Sequence, residues 1–192
     1  KGATITTEPG IYVEPKFSPT KDKLVFRRVT GGYLLSPEWS MEPGIYIANI
    51  KTKEMEKILE RGFNAHFGAD EDRLYYTSYV PDSKYTELEL RSVNLDGEDE
   101  RQLLKGDKVT EFQLSPDGKW VAYVYDDPSK AGTLLLSRVD GSKTVRVPTS
   151  FEACGEPALT QANGRTVLAF TALPASGADW RFLYLMDISD KL

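Results

Sequence analysis

From Val109 to Asp126 apolar and polar positions alternate on both sides of a short punctuation, V-T-E-F-Q-L-S-P-D-G-K-W-V-A-Y-V-Y-D. Phe112 and Leu114 share one face before it, and Val121, Tyr123 and Tyr125 share one after it. A period of two predicts strands, and the break between them predicts a β-hairpin. Ser115-Pro116-Asp117-Gly118 supplies the turn: Pro116 presets a negative φ, Asp117 can bond back to the backbone, and Gly118 takes a positive φ. A lone hairpin is not stable in water, so the unit must recur.

It recurs three times. Phe17-Ser18-Pro19 with Leu24-Val25-Phe26, Phe67-Gly68-Ala69-Asp70 with Leu74-Tyr75-Tyr76, and Leu159 to Phe170 with its Asn163-Gly164 turn follow the same pattern. The anchor residues Phe17, Phe67, Leu114 and Leu159 are separated by steps of 50, 47 and 45. Each copy continues into a third apolar strand, at Ile45–Ile47, Leu88–Leu90, Leu134–Leu136 and Phe182–Leu185. A more charged fourth strand follows at 54–60, 101–105 and 144–147, as suits a sheet edge exposed to water. This period, with short strands and no helical pattern, predicts an all-β fold, a β-propeller with four-stranded blades. The expected blades are 8–62, 63–107, 108–154 and 155–192, the last lacking its fourth strand. Residues 1–7 are expected to form a strand of a neighbouring or closing blade. Two architectures fit: a closed four-bladed ring, or an arc of a larger propeller, which the unequal loops favour. Segments 13–18, 63–68, 109–115 and 155–161 are expected innermost in their blades, with the four anchors pointing between sheets.

Composition narrows the function. At 192 residues and 40% apolar content the chain predicts one domain. A net charge of -5 with acids and bases interspersed offers no footprint for nucleic acid, and no apolar run is long enough for membrane insertion. The amino end, K-G-A-T-I-T-T-E, is neither an initiating Met nor a signal peptide, and the chain reads as cut from something longer.

Candidate chemistry is sparse. His66 is the only histidine and Cys154 the only cysteine, so no histidine pair or all-cysteine metal site can form, and no cofactor or metal is expected. His66 sits between Phe63 and Phe67, where a structural or surface role is favoured. No G-x-S-x-G elbow exists, which leaves a serine-hydrolase reading without a nucleophile. The acidic clusters at 70–72, 96–100 and 126–127 lack calcium-loop spacing and fall at predicted turns. No catalytic residue is assigned.

The unusual stretch is Arg27 to Pro43, R-R-V-T-G-G-Y-L-L-S-P-E-W-S-M-E-P, between the second and third strands of the first blade. Aromatic residues on so long a loop either plug back or face a partner. The expected contact residues are Arg28, Tyr33, Glu38, Trp39 and Glu42. Tyr33 and Leu34 are expected to pack back, with Trp39, Glu38 and Glu42 as a rim and Arg28 available to one of the acids. The insertion Val80 to Tyr85 reads as a solvated turn.

The S-P-D-G-K-W-V-A-Y hairpin and S-V-N-L-D-G-E-D-E-R-Q-L-L resemble the TolB-like, WD-repeat-like β-propeller repeats of exported bacterial proteins. From Phe17 to Tyr125, the stretches G-G-Y-L-L-S-P-E-W-S-M-E-P-G-I-Y and H-F-G-A-D-E-D-R-L-Y-Y look like the propeller part of bacterial amidohydrolase-family proteins. The resemblance implies an exported or periplasmic location and a non-catalytic scaffold or protein-interaction module in a larger protein. It implies an attached hydrolase domain, or another protein, as partner. The alternative it implies is a propeller that shapes or gates the substrate pocket of a metal-dependent amidohydrolase-like enzyme. Such a centre needs several histidines, and this chain has one.

Overall fold

A computed structural model describes residues 2–31, 42–83, 87–104, 108–127, 130–147, 150–174 and 179–192, without the side chains of 126, 127, 130 and 131. More than half of the described residues lie in strands. β1 (Ile11–Phe17), β2 (Lys23–Val29), β3 (Gly44–Asn49) and β4 (Met55–Leu59) form one sheet in that order. β5 (Phe63–Phe67), β6 (Arg73–Tyr79), β7 (Leu88–Asn94) and β8 (Arg101–Gln102) form the next, and β9 (Val109–Leu114), β10 (Trp120–Asp127), β11 (Lys130–Arg138) and β12 (Thr144–Arg146) a third. β13 (Ala153–Ala162), β14 (Arg165–Leu173) and β15 (Phe182–Asp187) make a three-stranded fourth sheet, followed by a 3-10 turn at Ser189–Lys191. Three four-stranded meanders and one of three strands are the blades of a β-propeller, as the period predicts.

The hairpin turns carry the fold's local logic. Ser115 Oγ accepts the Trp120 N–H at 2.9 Å and donates to Asp117 Oδ1 at 2.6 Å, while Gly118, at φ 68°, donates its N–H to the Ser115 carbonyl. In the first copy Ser18 Oγ likewise accepts the Lys23 N–H at 3.2 Å and donates to Asp22 at 3.1 Å. Lys21 and Glu71 take the positive φ there and in the second copy, so the turn persists without its glycine.

The chain divides into two compact units, 1–78 with 91–101 and 79–90 with 102–192. Within the first, Val25 and Ile45 of the first sheet pack on Ala65, Phe67, Leu74 and Tyr76 of the second. Within the other unit, Ala122, Leu134 and Leu136 pack on Cys154, Leu159, Leu168 and Phe170 of the last sheet. Neither sheet of a pair hides its apolar face alone; each covers the other, which is the energetic reason for the repeat.

Three of the four anchors are buried and one is not. Phe67, Leu114 and Leu159 are buried, but Phe17 is 66% exposed. Its face of the first sheet carries Ile5, Tyr12, Leu24 and Met55 around Phe26, Tyr46 and Ala48, and Phe17, paired with Leu24, stands at the rim of that cluster rather than within it. Residues 3–7 form no strand in this structure.

Candidate functional site

Of the residues expected to touch a partner, Tyr33, Glu38 and Trp39 lie outside the described residues, as does Leu34. Arg28 and Glu42 stand at the two feet of the excursion. The Tyr46 hydroxyl donates to the Glu42 carbonyl at 2.8 Å, and Tyr46 stacks on Phe26, whose ring meets Tyr12 edge-on. Arg28 donates from Nη2 to Glu8 Oε2 at 2.9 Å and lies over the Tyr12 ring. Its Nε is buried without a hydrogen-bond partner. The feet of the excursion are thus pinned to one aromatic cluster, and Arg28 is engaged by Glu8, outside the loop.

The single histidine is structural in setting. His66 is buried opposite Tyr75, and burial, aided by the Lys16 charge, pulls its pKa down from 6.5 to about 4, so it is neutral at pH 7. Arg73, also buried, is held by the Ser92 hydroxyl, Asn94 Oδ1, and the carboxylate and carbonyl of Asp99. A buried guanidinium so fully met is a brace rather than a reactive group. Cys154 is buried and forms no disulfide. Among the described residues no three or more His, Cys, Asp and Glu side chains are placed to hold a metal ion, and no helix is long and apolar enough to cross a membrane.

The feature that motif reading passed over is a bulge in the first strand of each sheet. β1 slips register between Val13 and Lys16, β5 between Phe63 and His66, β13 between Gly155 and Ala158. β9 bulges one residue earlier, around Thr110. Glu14, Asn64 and Glu156 take φ of 58°, 52° and 50°, a conformation that swings a backbone N–H off the ladder. In each unit a carboxylate from the preceding sheet takes that N–H: Glu14 Oε2 accepts from Asn64 at 2.7 Å, and Glu111 Oε2 accepts from Glu156. A threonine on the second strand completes the frame. Thr77 donates to the Phe63 carbonyl and Thr171 to that of Gly155, each at 3.3 Å. The signal was in the sequence: the position three before each anchor reads Glu14, Asn64, Glu111, Glu156.

The second feature is an uncovered face. Ile45 of the first sheet and Leu134 and Leu136 of the third are 0%, 1% and 1% exposed under the next sheet. By pairing register, Leu183 and Leu185 hold the positions in the fourth sheet that Ile45 and Ile47 hold in the first, and they are 73% and 74% exposed. Trp180, just before the strand, and Phe182, on its opposite face, are exposed as well.

No protein-family model and no curated protein matches the sequence. Solved structures do. TolB from Acinetobacter baumannii superposes with a TM-score of 0.71 at 17% identity, over 96% of this chain and 43% of its own. An oligogalacturonate lyase in complex with manganese gives 0.62 at 19% identity, over 91% of this chain and 48% of its own. The β-propeller domain of the Trilobed protease from Pyrococcus furiosus, described as having an open velcro topology, gives 0.59 at 10% identity, over 92% of this chain and 53% of its own. The chain therefore spans about half of each. What is shared at such identities is the fold, and three proteins so differently named show that this fold does not select one activity.

Proposed function

With a TolB-like β-propeller as the premise, we propose that this chain is a non-catalytic scaffold module of a larger exported or periplasmic protein, and that a further sheet of the same repeat covers its β15 face. One observation carries the reading: leucines in the register of the buried Ile45 and the half-buried Ile47 lie bare in the fourth sheet. Exposed apolar side chains grouped on one sheet face mark a surface meant for another surface. The expected cover is itself a blade because in both units that face meets the next sheet.

An attached hydrolase domain is the partner suggested by the sequence resemblance, and any metal centre of such an enzyme would lie in that domain. The excursion between Arg28 and Glu42, pinned at both feet, is the element proposed to reach it, with Tyr33, Glu38 and Trp39 as contacts. The one-domain organisation and the open arc belong to the same proposal.

The test is hydrogen exchange on β15 in the 192-residue chain and in the longest natural form of the protein. Amides at 182–186 should gain protection in the longer form, and Leu183→Ser with Leu185→Ser should destabilise only that form. Equal exchange in both would remove the blade-cover reading.

A further inference from the structure

The two bulge corners share a frame and differ in what fills it. In the first unit Arg27 donates to Glu14 twice, Nε at 3.2 Å and Nη2 at 2.7 Å, and its guanidinium lies 4.8 Å from the centre of the Phe63 ring. The corner is satisfied by its own side chains. In the other unit the frame recurs, with Glu111 on the Glu156 N–H and Thr171 on the Gly155 carbonyl. But the hairpin register puts Val124 where Arg27 stands and Gly155 where Phe63 stands.

Removing a guanidinium and a ring leaves a cleft of about 250 Å³, lined by Glu111, Cys154, Gly155, Glu156, Thr171 and Arg181. Arg181 Nη1, Thr171 Oγ1 and Glu111 Oε2 lie 3.0, 3.5 and 3.6 Å from the point where a Cβ on Gly155 would stand. A donor, a hydroxyl and an acceptor thus converge beside space that the described residues leave open. Among the described residues Glu111 Oε1 and the Arg181 guanidinium have no hydrogen bond or ion pair.

We propose that the Glu111 corner binds a guanidino carboxylate: arginine, as the free amino acid or as the carboxyl-terminal residue of a peptide. The ligand's guanidinium takes the place that Arg27 holds in the sister corner, donating to Glu111 Oε1 and reaching Glu156. Its carboxylate meets Arg181, whose planar fork suits that group. A cation without a carboxylate would sit beside Arg181 uncompensated, and an anion without a cation would face both Glu111 and Glu156. Opposed charges lining one cleft therefore select a ligand that carries both charges. This inference stands apart from whatever covers Leu183 and Leu185.

Titrating the isotope-labelled 192-residue chain with L-arginine should give saturable shifts of the Gly155, Glu156 and Thr171 amides, with a Kd of about 1 mM as befits so small a ligand. Argininamide, which lacks the carboxylate, should bind about tenfold more weakly, a loss in line with one charge-assisted pair. L-glutamate should leave these amides unmoved. A Gly-Arg dipeptide binding more tightly than arginine identifies a peptide end as the ligand, and the reverse order identifies the free amino acid. Gly155→Phe should refill the corner and abolish binding. Arg181→Ala, at an exposed side chain, should keep the fold and erase the preference for arginine over argininamide. No saturable shift with arginine or the dipeptide, or unchanged discrimination in the Arg181→Ala chain, would overturn the proposal.

Discussion

The first and fourth sheets are two copies of one unit with opposite accounts of their apolar positions. Ile45 lies at 0% exposure under Phe67, Leu74 and Tyr76, whereas Leu183, its register counterpart, is 73% exposed. The bulge corners repeat the contrast at smaller scale: Glu14 is saturated by Arg27 over Phe63, and Glu111 faces a cleft beside Gly155. A repeat therefore conserves a frame of hydrogen bonds and leaves its occupancy free to vary. Stability follows where the frame is filled, and binding capacity where it is not.

That contrast can be broken most forcefully at the buried aliphatic position. Ile45→Ala should cost about 2–5 kcal/mol by urea denaturation, the range for a large-to-small change in a closed core. Leu183→Ala in the same 192-residue chain should change stability by less than about 0.5 kcal/mol, as at an exposed position. Equal losses would mean that the fourth face is already covered.

The next largest effect is set by pH. His66 is neutral when folded, with a pKa of about 4, against 6.5 when unfolded. Between those values the unfolded chain binds more protons, so the His66 contribution is complete above about pH 6.5 and is lost as pH falls toward 4. The loss should reach about 3 kcal/mol at most. Ala158, in the same repeat column, has nothing to titrate. Hydrogen exchange at pH 7 and pH 4.5 should therefore show the first unit loosening more than the other, and His66→Phe should flatten that difference. An unchanged pH dependence in the His66→Phe chain would assign the loosening to other groups.

The smallest effect sharpens the corner comparison. Arg27→Ala removes two charge-assisted hydrogen bonds at a partly buried site and should cost about 1–2 kcal/mol. Arg181→Ala should fall within about 0.5 kcal/mol of the parent, because no ion pair is lost among the described residues. Thermal melts of the two variants, run side by side, decide it.

Much of this was legible in the chain as text. The strands, the Ser-Pro-Asp-Gly hairpin, the third strand of each copy, the fourth strand of the first three and the propeller class all follow from alternation and turn chemistry. Those signals act over a few neighbouring residues and need no knowledge of the rest. The site was far less legible. Arg28 and Glu42 stood out by their loop, yet Arg28 is engaged by Glu8, twenty positions back, and the acid column at 14, 111 and 156 reads as surface charge until the bulges are seen.

Phe17 and Phe67 show where local pattern stops. Both end the first strand of a sheet on the same face, and alternation gives that face correctly for each. Whether water or another sheet meets it depends on side chains far along the chain, such as Val25 and Ile45 for Phe67. The same holds for Gly155: in the chain it is one glycine among fifteen, and only folding sets Glu111, Thr171 and Arg181 around the space its missing side chain leaves. Backbone preference is a property of neighbours in sequence, so it can be read there. Burial, and the room left for a ligand, belong to neighbours in space, which this chain brings together from separate copies of its repeat.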